Sequence, residues 1–163
     1  MTTFEHILVP TDFGEPAEHA LDVAIALASK FNSKITLLHS SWFPPMAYGA
    51  YAEGLAWPIS DMIDAAQKEL DAALVKAKKR YEQIDAVLAV TEPSQTILEI
   101  AKDRACDLIV MGTHGRRGLP RILLGSVAEK TVRLSPVPVL TLSGKAGQEA
   151  KEAALAESVE RKV

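Results

Sequence analysis

Residues 110–130 read VMGTHGRRGLPRILLGSVAEK and hold four of the nine glycines in the chain. The apolar run DLIVM (107–111) stops there. Gly112, Gly115, Gly118 and Gly125 follow, interleaved with Arg116, Arg117 and Arg121, and Ser126 opens a new apolar pattern. Glycines after a strand let the backbone turn sharply and approach a ligand with no Cβ in between. Backbone N–H groups can then converge on an anion, joined by the free N–H groups at the start of the next helix. The Ser126 hydroxyl adds a donor in that first turn. One of the arginines suits a polyphosphate and the others read as solvated loop charges. The plain alternative is a strand–helix connection that needs glycine only for tight turning. Glycine content alone does not separate the two.

The spacing is neither G-x-x-x-x-G-K-S/T nor G-x-G-x-x-G, which excludes two common nucleotide loops. It is Gly112-x-x-Gly115, nine residues, then Gly125-Ser126.

Five short β-rich runs must position this segment: 6–9, 34–40, 85–90, 107–111 and 137–142. Between them, apolar residues recur at three- and four-residue steps over 16–31 and 60–81. Pro93 reads as the first residue of a helix to about Arg104, and a further helix runs over 125–134. Strand–helix alternation with nearly continuous apolar strands predicts an open α/β domain, a five-stranded parallel sheet with helices on both faces and right-handed crossovers. Ligands in such sheets bind beyond the carboxyl ends of the strands, where strand order reverses. The glycine segment leaves the carboxyl end of the fourth strand.

Two segments fall outside the alternation. Residues 41–59, SWFPPMAYGAYAEGLAWPI, carry both tryptophans in a Pro/Gly-punctuated insertion. It reads as a packed loop, an interface patch or a lid over bound ligand. The alanine-rich tail 143–163 reads as a short helix or a frayed end.

Composition narrows the function classes. A net charge of −3 gives no electrostatic footprint for nucleic acid or an anionic membrane. The single cysteine, Cys106, rules out an internal disulfide and fits a reducing cytoplasm, where it reads as a small buried thiol. Glu5, His6 and Asp12 interrupt any N-terminal signal segment, and no apolar stretch is long enough to span a membrane. His6 and His19 lack partners at metal-ligand spacing, so no metal site is expected, and His39 reads as a satisfied strand histidine. Asp12, taken alone, reads as an N-cap. Near the glycine segment it is the only carboxylate found, so nothing there suggests a dedicated ATPase.

The full pattern, G-x-x-G, nine residues, G-S/T, resembles the ATP-binding signature of the universal stress proteins. The resemblance extends through ILVPTDF (7–13), ITLLHS (35–40), ILEIAKDRACDLIVMGTHGRRG (97–118), LLGSVAEK (123–130) and SPVPVL (135–140), in order over residues 4–142. It implies a universal stress protein domain over 1–142, with a Rossmann-like, adenine nucleotide α-hydrolase-like sheet in the order 3-2-1-4-5. It implies ATP as ligand, with ADP and AMP as alternatives and Mg²⁺ carried on the phosphates. Asp12 would then bind ribose hydroxyls, with Pro10 and Thr11 shaping that edge. Ser40 would stand at the adenine edge. Gly112 and Gly115 would admit ribose and phosphates, flanked by Met111 and His114, with Arg116 beside the phosphates. Gly125, Ser126 and Val127 would bind phosphates through N–H groups and the Ser126 hydroxyl. The sequence departs from the family at Thr91-Glu92-Pro93, where a G-x-P turn is frequent on the adenine side. The implied role is nucleotide-dependent stress signalling with an unnamed regulatory protein partner, the alternative a slow ATPase or nucleotidyl-transferring enzyme. A homodimer through 137–142 is implied as well, in keeping with the unpaired groups of a last edge strand.

Overall fold

The structure is a computed structural model that describes residues 3–43, 58–113 and 124–144. In chain order the elements are β1 (His6–Pro10), α1 (Glu15–Phe31), β2 (Lys34–Ser40), α2 (Ile59–Lys78), β3 (Ile84–Ala89), α3 (Pro93–Asp103), β4 (Leu108–Gly112), α4 (Ser126–Leu134) and β5 (Val139–Leu142). The strands form one parallel sheet in the order β3-β2-β1-β4-β5.

Alternation along the strands builds two cores. Ile7, Val9, Ile35, Leu37, Leu108 and Val110 face α1 and α2, where Ala20, Ala24, Ala28, Leu70 and Ala77 meet them. Leu8, Leu38, Ile109 and Met111 face the other way, onto Ile97 and Ala101 of α3 and Ala128 of α4. Strands buried on both faces are why the sequence shows apolar runs rather than alternation. Helix α1 stops at Asn32, which adopts the left-handed conformation (φ 56°, ψ 40°) that Asn tolerates at a helix end. The expected 60–81 helix ends earlier, at Lys78. Tyr81 lies beyond it because its hydroxyl donates to the Ser33 carbonyl at 2.7 Å, drawing the chain down onto the turn before β2.

β1 and β4 are joined at one end only. Asp107 accepts from the Glu5 and His6 N–H groups at 2.7 and 3.1 Å, and its own N–H donates to His6 O at 3.0 Å. The β1–β4 register then spans only Ile7↔Leu108 and Leu8↔Ile109. β1 continues against β2 to Pro10↔Leu38, and β4 against β5 to Gly112↔Leu142. The carboxyl halves of the two central strands therefore part, at the point where strand order reverses.

Cys106 is buried under α3, and burial pushes its thiol up to about 11. It stays protonated at neutral pH, as the sequence reading of an inert core thiol requires. Among the described residues no helix is long and apolar enough to cross a membrane.

Gly112 closes β4 against the start of α1. A Cβ there would lie 2.8 Å from Pro16 Cβ, 3.0 Å from Pro16 C and 3.1 Å from Ala17 N. Two of these atoms are backbone, so relief requires moving α1. Gly112→Ala should therefore cost about 1–3 kcal/mol, read as a fall in Tm of about 2–4 °C per kcal/mol by thermal unfolding. An unchanged Tm would show that α1 yields freely at this contact.

Candidate functional site

The first arm of the site is the loop from β1 to α1. Pro10 ends β1, and the Thr11 N–H donates to Leu38 O of β2 at 2.8 Å. Thr11 Oγ1 accepts from the Phe13 N–H at 3.0 Å, and Asp12 Oδ1 accepts from the Gly14 N–H at 3.0 Å. The N-cap of α1 is Gly14, in extended conformation, so Asp12 is not the cap. It closes a side-chain turn two residues ahead of the helix, a pattern Asp shares with capping. Phe13 holds φ 62°, and its ring centroid lies 4.5 Å from that of His39. His39 Nδ1 is 2.8 Å from the Thr11 carbonyl, which can only accept, so the imidazole donates.

The second arm is the passage from β4 to α4. Thr113 follows Gly112, and its N–H donates to Leu142 O at 2.8 Å. Its carbonyl accepts from the Gly125 N–H at 2.6 Å, which pins the two ends of the glycine segment together. Gly125 is the N-cap of α4 (φ −71°, ψ 158°) and accepts from Glu129 N at 2.8 Å. Its own N–H is thus committed to Thr113. The N–H groups of Ser126 and Val127, in the first turn, have no acceptor within the helix and no capping side chain from Gly125. The Met111 side chain is buried in the core against α3 and α4. His114, Gly115 and Arg116 lie outside the described residues, as do Gly118, Arg117, Arg121 and most of the insertion. At the start of the insertion Phe43 is buried and Trp42 is 49% exposed.

The third wall is the end of β2 beside β3. The Ser40 hydroxyl donates to Thr91 O, and Ser41 N–H donates to Ala89 O at 2.8 Å. Glu92, one residue on, is the N-cap of α3. It accepts from Gln95 N–H at 2.9 Å and from the Ser94 hydroxyl at 2.6 Å, and reaches Lys130 of α4 at 3.8 Å. The Ser94 hydrogen bond leads in holding its carboxyl below the ordinary value of 4.5, against the opposing effect of burial. Thr91 Oγ1 and Thr96 Oγ1 share a hydrogen bond of 2.6 Å. The place where the family's G-x-P turn is frequent is here a capped, cross-linked corner. Among the described residues no His, Cys, Asp or Glu cluster could hold a metal ion.

The open parallel sheet in the order β3-β2-β1-β4-β5, with helices on both faces, places the chain among the Rossmann-like α/β folds. It belongs to the universal stress protein family, whose description matches residues 3–143. It is 35% identical over 143 residues to universal stress protein MJ0531 of Methanocaldococcus jannaschii, covering 85% of this chain and 82% of that one. The solved structure of MJ0577 from the same organism superposes with a TM-score of 0.74 at 30% identity, covering 88% of this chain and 99% of that one. A universal stress protein from Archaeoglobus fulgidus, solved in complex with dAMP, shares the fold (TM-score 0.64, 22% identity, covering 86% and 99%).

Sequence reasoning missed Thr113 and the bracing role of His39, because both act through partners far along the chain. The capping role of Glu92 was missed too, although its place directly before Pro93 at a helix start was a usable signal. Its carboxylate form is favoured in the fold, so its stabilisation is present above the unfolded value near 4.5 and fades as pH falls through the lower folded value. Glu92→Ala should destabilise by about 1 kcal/mol at pH 7. Urea unfolding should show the gap to wild type closing below the ordinary pKa of 4.5. A gap independent of pH would mean that the charge contributes nothing.

Proposed function

We propose that this chain binds ATP at the parted ends of β1 and β4 and acts as a nucleotide-dependent regulator with little or no turnover. One observation carries the reading. The strand ladder fails at the switch point, and the two loops leaving it there offer complementary chemistry: the Asp12 carboxylate on one side, the uncapped start of α4 on the other. Asp12 would accept from ribose hydroxyls, with Pro10 and Thr11 along the same edge. The N–H groups of Ser126 and Val127 and the Ser126 hydroxyl would take the phosphates, aided by the helix dipole. Gly125 contributes by lacking a side chain. Gly112, Gly115, Met111 and His114 belong to the same passage, with Arg116 as counter-charge and Mg²⁺ on the phosphates. Ser40 marks the adenine edge. The relative solved with dAMP supports an adenine nucleotide on this scaffold.

Gly125→Val tests the site. The extended backbone at Gly125 suits valine, so the fold should persist while the branched Cβ fills phosphate space. Calorimetric titration should show ATP binding lost, with circular dichroism unchanged. Unaltered affinity in the folded variant would remove the α4 terminus from the site. Mass spectrometry of ligand released from purified protein would identify the resident nucleotide, and steady phosphate release would favour the enzymatic alternative.

We propose further that the chain dimerises through β5. Ile109 N–H donates to Pro138 O and Thr113 N–H to Leu142 O, at 3.0 and 2.8 Å, so residues 138 and 142 turn their main-chain groups to β4. By alternation, the N–H and C=O groups of Val139 and Thr141 face the open edge. Val139→Pro removes a donor from that edge and leaves the β4 ladder intact. It should yield monomers by light scattering, and a dimer of normal tightness would place the interface elsewhere.

A further inference from the structure

Asp12 is useful to a ribose only if its carboxylate waits in the right place. It sits in a four-residue connection, Thr11 to Gly14, between β1 and α1. Left to itself such a connection samples many conformations, and ordering it on binding would be charged against affinity. Here the order is supplied in advance, from β2. Thr11 is fixed on both sides of its α-carbon: its N–H donates to Leu38 O at 2.8 Å, and its carbonyl accepts from His39 Nδ1 at 2.8 Å. That carbonyl belongs to the peptide unit joining Thr11 to Asp12. The imidazole therefore sets the plane from which Asp12 departs.

Phe13 completes the brace. It is in the left-handed region at φ 62°, which is unfavourable for an aromatic residue. It is held there by its N–H donating to Thr11 Oγ1 at 3.0 Å and by its ring lying tilted on the His39 ring. The strain keeps Asp12 and Gly14 on the side where Asp12 Oδ1 receives the Gly14 N–H. Packing alone would not do this. Thr11, Phe13, Leu21 and Leu37 line a cavity of about 400 Å³ between α1 and α2, so the loop has room to relax once the brace is cut.

His39 itself is not a ligand contact in this arrangement. Side chains alternate along β2: Leu37 faces α1 and α2, Leu38 the α3 side, and Ser40 reaches Thr91 on that side. His39 thus projects with Leu37 toward α1 and α2, and acts through Thr11. Building on the adenine-nucleotide reading of this site, we infer that His39, buttressed by Phe13, is a positioning residue that pre-sets Asp12 for the ribose hydroxyls. It thereby makes the site selective for nucleotides that carry sugar hydroxyls over those lacking both the 2′- and 3′-hydroxyls.

The test titrates ATP and 2′,3′-dideoxy-ATP into wild type, His39→Leu and His39→Asn. Wild type should prefer ATP. His39→Leu should weaken ATP about tenfold, the loss expected when a carbonyl's partner is removed, and leave the dideoxy analogue nearly unchanged. His39→Asn, whose side-chain amide can donate from close to the Nδ1 position, should restore most of the preference. A merely structural role would move both nucleotides together. Equal weakening of both, or of neither, overturns the positioning role while the site stands. Failure of wild type to bind either nucleotide overturns the site reading and this inference with it. If His39→Leu does not fold, the comparison rests on His39→Asn against His39→Gln. The first should keep the ATP preference and the second lose it, and equal preferences would overturn the inference.

Discussion

The joint between β1 and β4 governs the rest of the structure. Asp107 ties their amino ends with two accepted and one donated hydrogen bond, and after Leu8↔Ile109 the ladder stops. No connection bridges the gap, because the chain leaves β1 toward β2 and leaves β4 toward β5. Right-handed crossovers in opposite directions put α1 on one face of the sheet and α4 on the other. A cleft between two strand ends, with a helix start on either side, is therefore a consequence of strand order. Side chains decide only what that cleft can hold.

What they supply differs between the two arms. At Gly112 the missing Cβ serves the approach of Pro16 and Ala17, a packing need that exists with or without a ligand. At Gly125 the missing side chain leaves the start of α4 uncapped. The packing explanation thus applies to Gly112, and the proposed ligand-binding one would apply to Gly125. The two are compatible because Thr113 couples them: its N–H belongs to the β5 ladder and its carbonyl to Gly125.

The fold was legible in the sequence because the three inner strands β2, β1 and β4 are buried on both faces and the helices on one, so composition and period coincide. Its errors lie at ends such as Tyr81, where a long-range hydroxyl bond rather than a breaker residue decides the path. The site was legible only as residue types. Asp before a helix signals capping and side-chain turns alike, and Gly14 took the cap. The bonds from His39 to Thr11 and from Gly125 to Thr113 join residues with no local spacing to announce them. Most of the insertion and the arginines of the glycine segment lie outside the described residues.

Charge gives the final step. The proposed triphosphate would bring several negative charges to a chain whose own net charge is −3. The first turn of α4 offers N–H dipoles and a hydroxyl, but also Glu129, and the neighbouring Lys130 is engaged by Glu92. A helix terminus supplies roughly half an elementary charge. That is too little for a triphosphate alone, so counter-charge has to come from the arginines of the glycine segment or from a divalent cation carried with the nucleotide. Such a site would hold phosphates by dipoles and borrowed charge. On that reading Asp12, which accepts from the Gly14 N–H, would serve the ribose and not the phosphates. On the proposed reading, that division of labour would favour binding over hydrolysis, and the output would be occupancy itself.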